Sequence, residues 1–144
     1  YRNKVIVALG SKSLATKLIK ANIKKYTFNV DIVKDVDGLY NLMNKSDMVI
    51  GSGGVTLLER MALGKPSISI PVSSNQEQQI ELSGLMGATF AVASDLHDIN
   101  NGLEFILNNY KGREKMSRTA RYLVDGNGAK RTASVITDTQ INVW

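Results

Sequence analysis

Cysteine is absent from this chain, and that one absence removes disulfides, thiolate nucleophiles and cysteine-ligated zinc together. Histidine occurs once, at His97 in the segment SDLHDIN, so a metal site built on several imidazoles is excluded. The polar setting of His97 predicts a solvated or capping side chain. Aromatic residues make up only 6% and are not interleaved with the basic ones, which leaves no stacking platform for nucleic acid. No apolar run approaches the ~20 residues of a membrane span, and no secretory signal opens the chain. A cytoplasmic setting with no metal and no cofactor is the expectation.

What is present fits a globular domain. The chain has 144 residues, 43% of them hydrophobic and 22% charged, a length and balance suited to one domain with a real core. Its net charge of +5 comes from scattered lysines and arginines. The densest runs, KLIKANIKKY and KGREKMSRTAR, lie on helical patterns, so solvated helix faces explain the charge and no nucleic-acid partner is expected. Tyr1-Arg2-Asn3-Lys4 leads almost directly into an apolar strand, as if the chain were cut just ahead of a domain.

Strand and helix patterns alternate along the whole length. KVIVALG (Lys4 to Gly10) is a continuous apolar run ending in glycine, as a strand buried on both faces would be. SLATKLIKANIKKY follows as a helix with Leu14, Leu18, Ala21 and Ile23 near helical spacing. FNVDIV, MVIG, PSISIP (bracketed by Pro66 and Pro71) and TFAV supply the later strands. Between and after them DGLYNLMNKSD, VTLLERMAL, NQEQQIELSGLMG, INNGLEFILNNY, GREKMSRTARYLV and GAKRTASVITDTQ read as helices. This alternation predicts an α/β domain over residues 1–144, a Rossmann-like, doubly wound parallel sheet. Such sheets take ligands beyond the carboxyl ends of their strands. The residues to weigh are therefore 10–11, 34–37, 51–54 and 71–79, expected to open onto one edge.

The run Gly51-Ser52-Gly53-Gly54 is the sharpest of these, because it stands where a strand hands over to a helix. It fails the dinucleotide fingerprint, since the third glycine position falls at Thr56. Gly64-Lys65 fails as a phosphate loop, since it follows a helix and Pro66 stands where Ser or Thr is needed. Two readings remain open. One is a capped turn without chemistry. The other is an anion site, in which glycines let a ligand approach the unpaired N–H groups of the helix start and Ser52 donates or caps.

Glu59 weighs on that choice. At ~100° per residue, Val55, Leu57, Leu58, Met61 and Ala62 surround one side of the helix, leaving Thr56, Glu59 and Arg60 as a narrow polar wedge. A carboxylate between apolar neighbours needs hydrogen-bond donors. Ribose hydroxyls would serve, and a salt bridge to a nearby lysine is the alternative. Asn75, Gln76, Gln78 and Gln79 crowd the next helix start, where neutral amides suit sugar hydroxyls and acetamido groups. They are also ordinary residues for a helix start.

At these residues the chain resembles the C-terminal, sugar-nucleotide-binding domain of the GT-B superfamily. The likeness rests on VALGS, on SDMVIGSGGVTLLERMALGKPSISIP, on NQEQQ and on MSRTARYLVDGNGAKRTASVI, and spans nearly the whole chain. It is nearest to the UDP-sugar hydrolases of pseudaminic acid and spore-coat polysaccharide biosynthesis. The peptidoglycan N-acetylglucosaminyltransferase is a more distant likeness. The resemblance implies that Gly10 and Ser11 approach the diphosphate, and that the backbone around Asp35 and Val36 holds the uracil edge. Ser52, Gly53, Gly54 and Val55 would line the diphosphate with Thr56 behind, and Glu59 would take the ribose. Asn75 and Gln76 match the hydrolases, whereas Gln78 and Gln79 match the transferase. Gly10-Ser11-Lys12 departs from relatives that carry a second glycine before the serine.

The resemblance also implies an N-terminal domain that holds the catalytic groups, so no catalytic residue is assigned within this chain. The partners expected are a UDP-sugar and that domain, with room for peripheral membrane association of the full protein. The activity expected is hydrolysis of a UDP-linked amino-deoxy sugar by water at the anomeric carbon. The alternatives are an inverting glycosyltransferase, in which an acceptor hydroxyl replaces water, and a non-catalytic UDP-sugar-binding partner domain.

Overall fold

A computed structural model describes residues 4–138, in two compact units that divide between Leu39 and Tyr40. Tyr1, at the expected cut, and Thr139-Gln140, at the end of the expected last helix, lie outside the described residues.

The first unit is a parallel pair of strands. β1 (Lys4–Leu9) runs beside β2 (Asn29–Lys34) in register from Lys4 opposite Asn29 to Leu9 opposite Lys34. A parallel pair needs a crossover, here α1 (Ala15–Asn22) and a 3₁₀ turn at Ile23–Lys25. None of the described residues of this unit is fully buried. Leu14 and Leu18, placed near helical spacing by the sequence, are 91% and 68% exposed. Helical spacing reports that apolar residues share a face, and not whether anything covers it.

The second unit carries the core. Its elements are α2 (Tyr40–Lys45), β3 (Val49–Gly51), α3 (Val55–Ala62), β4 (Ser67–Ser69), α4 (Ser74–Leu85) and β5 (Phe90–Ala91). Three helices follow, α5 (Leu96–Asn108), α6 (Tyr110–Leu123) and α7 (Gly128–Asp138). The strands pair in parallel in the order β3-β4-β5. Central β4 is wholly buried, and its side chains alternate between faces. Ile68 packs with Val92 and Ile106 of α5 on one side. Ser67 and Ser69 point the other way, where Leu57 and Met61 of α3 cluster with Ile80, Ala88 and Ala120. Helices on both faces are the local form of a doubly wound sheet.

Among the described residues the strands form two ladders, where one sheet was expected. Hydrophobic patterning is local, whereas lateral strand pairing is set between distant segments. The α/β class with parallel strands stands. No helix among the described residues is long and apolar enough to cross a membrane.

Candidate functional site

At the carboxyl end of β3 the chain turns through residues 51–54 and enters α3 at Val55. Each glycine of the turn has its own physical reason. A Cβ on Gly51 would lie 2.8 Å from Nη1 of Arg60, so glycine there makes room for the guanidinium. A Cβ on Gly53 would meet Gln76 at 2.9 Å and Ile80 at 3.1 Å, so this position lets α4 close on the turn. Gly54 has φ +80° and ψ −155° and meets nothing; backbone conformation alone requires it. The helix then closes at Gly64 (φ +63°), where Gly64 N–H donates to Met61 O at 2.9 Å and Lys65 N–H to Arg60 O at 2.9 Å.

The helix start does not present bare amides at both glycines. Gly53 N–H donates to Oε1 of Gln76 (3.3 Å) and Gly54 N–H to Oε1 of Gln79 (2.7 Å). Gln76 Oε1 also accepts from Val72 N–H at 3.2 Å, just beyond β4. The expectation of unpaired N–H groups at Gly53 and Gly54 is therefore corrected: side chains from α4, half-buried at the same end of the ladder, accept from them. With each Oε1 committed to backbone donors, the amide orientation is set and each Nε2 keeps its protons for something else. Among the described residues, Val55 and Thr56 N–H and the Ser52 hydroxyl have no hydrogen-bond partner, and Ser52 caps nothing. Thr56 Oγ1 reaches Gly53 O at 3.5 Å. The resulting surface is rich in donors and poor in acceptors, the chemistry of an anion site.

Other expected residues sit less tightly. Asn75 is exposed and accepts from Ser73 Oγ, and Gln78 is exposed. Of the paired amides, only Gln76 and Gln79 engage the turn. Val55 and Leu58 are 72% and 40% exposed. Glu59 is exposed as well, one turn into α3, so its carboxylate is not enclosed by the apolar neighbours that the helix spacing placed around it. The alternative of a lysine bridge is not realised among the described residues. Lys65 instead spends its ammonium on Asn44 O (2.7 Å) and Ser46 O (3.0 Å), closing the end of α2.

In the first unit, Gly10 and Ser11 follow β1, and Asp35 and Val36 follow β2, all exposed at one end of that ladder. Asp35 N–H donates to Leu9 O at 3.3 Å, and Asp35 has φ +50°, the one described non-glycine residue with positive φ. Backbone atoms of this loop thus stand beside the Gly10 turn.

The polar wedge on α3 contained a residue that helical spacing alone assigns differently. Arg60 lies three residues after Leu57 and one before Met61, and all three are buried. Arg60 is only 2% exposed. Its Nη2 donates to Ser52 O (2.8 Å) and Ser69 Oγ (3.1 Å). Thr89 Oγ1 gives its single proton to Ser67 O (2.9 Å), so the Ser69 and Ser67 hydroxyls, at 2.7 and 3.0 Å, donate to Thr89. Arg60 heads this chain of neutral groups, and burial pulls its pKa down to about 10 against the opposing pull of Glu59. The 57-60-61 spacing held the signal, but a charged residue is normally assigned to the solvent side.

A cleft of about 270 Å³ opens at the opposite end of the β3-β4-β5 ladder, among Thr89, Phe90, Phe105 and Met116. None of the sequence-derived candidates lines it. His97 is exposed near Asp95 and Asp98 at the start of α5 and accepts or donates to Asn101 at 3.2 Å, as a solvated histidine would.

Comparison with known proteins bears on the family and the fold. The chain is 23% identical over 145 aligned positions to the spore coat polysaccharide biosynthesis protein SpsG of Bacillus subtilis (strain 168), covering 93% of this chain and 40% of SpsG. Among solved structures it is similar to WaaG, a glycosyltransferase involved in lipopolysaccharide biosynthesis (TM-score 0.66, 19% identity, 93% of this chain and 38% of that one). It is also similar to a Listeria monocytogenes structure described as a UDP-N-acetylglucosamine 2-epimerase (TM-score 0.69, 15% identity, 94% and 45%). The chain therefore spans about 40% of the length of these relatives, and its fold is that of a GT-B C-terminal half. The glycosyltransferase family 28 C-terminal domain matches residues 1–135, and the protein belongs to that family.

Proposed function

We propose that this chain is the donor-binding half of a GT-B glycosyltransferase and that it holds a UDP-sugar at the 51–54 turn. The observation that carries the reading is the donor-rich surface at the start of α3, where Gln76 and Gln79 lock onto the glycine amides. The Val55 and Thr56 N–H groups, the Ser52 hydroxyl and the two Nε2 groups would face the diphosphate. Glu59, one turn further along α3, would accept from the ribose hydroxyls. Asp35 and Val36 are the residues proposed for the uracil edge, with Gly10 and Ser11 beside them.

In the reaction an acceptor hydroxyl attacks the anomeric carbon, the bond from that carbon to the phosphate oxygen breaks, and UDP leaves with the bonding electrons. The acceptor's proton passes to a base that we place in the remainder of the protein. Charge grows on the departing diphosphate, and donors already oriented toward it lower the barrier. Attack by water, the expectation from sequence, loses ground to this alternative, since the matched family is a glycosyltransferase family. The spore-coat relative supports a role in surface polysaccharide synthesis. The sugar is proposed only as a UDP-linked one.

Calorimetric titration of the chain with UDP, UDP-sugars and NAD tests the reading. UDP binding is expected; NAD binding without UDP binding rejects it. Glu59→Ala should weaken UDP by roughly tenfold, the equivalent of ~1.4 kcal/mol, while inorganic pyrophosphate keeps its affinity. Equal losses for both ligands remove Glu59 from the site.

A further inference from the structure

Arg60 is a full positive charge inside the second unit, 2% exposed, with no carboxylate among its hydrogen-bond partners. Its Nε is buried and unpartnered. Both bonds from Nη2 go to neutral oxygens, Ser52 O and Ser69 Oγ, and Nη1 lies in the space a side chain at Gly51 would fill. Buried charges are ordinarily paired, because removing them from water is costly. Among the described residues, the acid that acts on the group is Glu59, its exposed chain neighbour.

The guanidinium lies directly beneath the turn that carries the free donors. It grips the carbonyl of the peptide joining Ser52 to Gly53, whose N–H is the donor to Gln76. Polarity therefore runs from the cation through that peptide into the Gln76 amide, and aligned hydrogen bonds polarise one another. The Gln76 Nε2 protons, at the outer end of the series, become stronger donors to an anion.

We propose that Arg60 is the buried electrostatic complement of the anion site: it fixes the 52–53 peptide and is charge-compensated when a diphosphate occupies the turn. This rests on the donor-site reading above and adds to it a residue that touches no ligand. It is a positioning residue that selects for charge at the diphosphate and is indifferent to the nucleoside.

The test titrates wild type, Arg60→Met and Arg60→Lys with UDP, pyrophosphate and uridine, with thermal melts of each unliganded protein. Methionine keeps much of the volume and removes the charge, so the unliganded Arg60→Met protein should melt within a few degrees of wild type or above it. Its affinity for UDP and pyrophosphate should fall tenfold or more, while that for uridine changes less than twofold. Arg60→Lys keeps the charge but not the two-pronged grip, and should lie between.

A merely structural arginine would give the reverse, a lowered melting temperature with an unchanged UDP-to-uridine ratio, and that result overturns the proposal alone. Wild type that binds neither UDP nor pyrophosphate overturns the donor reading and this proposal with it. A measurement on wild type covers the case in which Arg60→Met does not fold. The Arg60 Nε–H resonance should move on saturation with pyrophosphate and stay in place with uridine. A resonance that ignores bound pyrophosphate also overturns the proposal.

Discussion

Residues 4–39 and 40–138 use the same materials, parallel strands joined by helices, with opposite results. The first unit has the longer ladder, six residues on each strand, yet none of its described residues is buried. Strands of the second unit are only two or three residues long, but β4 is sealed on both faces. Ladder hydrogen bonds largely replace bonds to water, so each adds only about 1 kcal/mol net. Burying a leucine or isoleucine adds roughly 1.5–3 kcal/mol. The second unit is thus organised by what its strands bury, whereas β1 and β2 of the first are at most half-buried and rest more on pairing. A two-stranded parallel pair without a sealed core is marginal by itself. The contrast extends to the turns that follow the strands: at 51–54 the half-buried Gln76 and Gln79 accept from Gly53 and Gly54 N–H, whereas the exposed turns after β1 and β2 are tied by backbone bonds at Gly10 O and Asp35 N–H.

Truncation of matched leucines should break or confirm this contrast with the largest effect. Leu57→Ala, at a fully buried position, should cost about 2–5 kcal/mol in urea unfolding. Leu18→Ala, 68% exposed, should stay within ~0.5 kcal/mol. A comparable loss at Leu18 would mean that α1 is covered, and the contrast would fall. The two positive-φ positions sharpen it further. Gly54→Ala places a Cβ where φ is +80° and should cost ~1–3 kcal/mol, with UDP affinity falling alongside. Asp35→Gly relieves a φ of +50° and should leave stability within about 1 kcal/mol of wild type.

The smallest effect concerns the surface of the second unit. Asp125 has its pKa lowered to about 2, first by the side-chain hydrogen bond from Arg131 and then by the Asn127 backbone N–H. Since the folded value lies below the unfolded one, its contribution is complete above about pH 4 and fades as pH falls toward 2. Arg131→Gln should raise the Asp125 midpoint observed by NMR while barely moving the melting temperature at pH 7. A midpoint that does not move would dissolve the pair.

The alternation of strands and helices, the glycine handover at 51–54 and the amides at 76 and 79 were legible because each is a local property of the chain. Helix spacing and turn composition act within a few residues. Legibility stopped where the outcome depended on a partner. The periodicity that grouped Leu14 and Leu18 could not say whether a surface would meet them, and Glu59 lost its apolar setting because Val55 and Leu58 face solvent. Arg60 was legible by spacing and misassigned by charge, since only the Ser52 carbonyl and the Ser69 hydroxyl make its burial tolerable.

The amino-acid order by itself determined which elements form and where the chain turns, through short-range sterics and hydrogen bonding. Tertiary structure alone decided which strands pair, which helix faces are covered, and that Gln76, Gln79 and Arg60 converge on one turn. The bonds at the turn join residues 8 to 25 positions apart, and the clusters that cover the helices join residues further apart still, such as Leu57 and Ala120; no local pattern contains their energies.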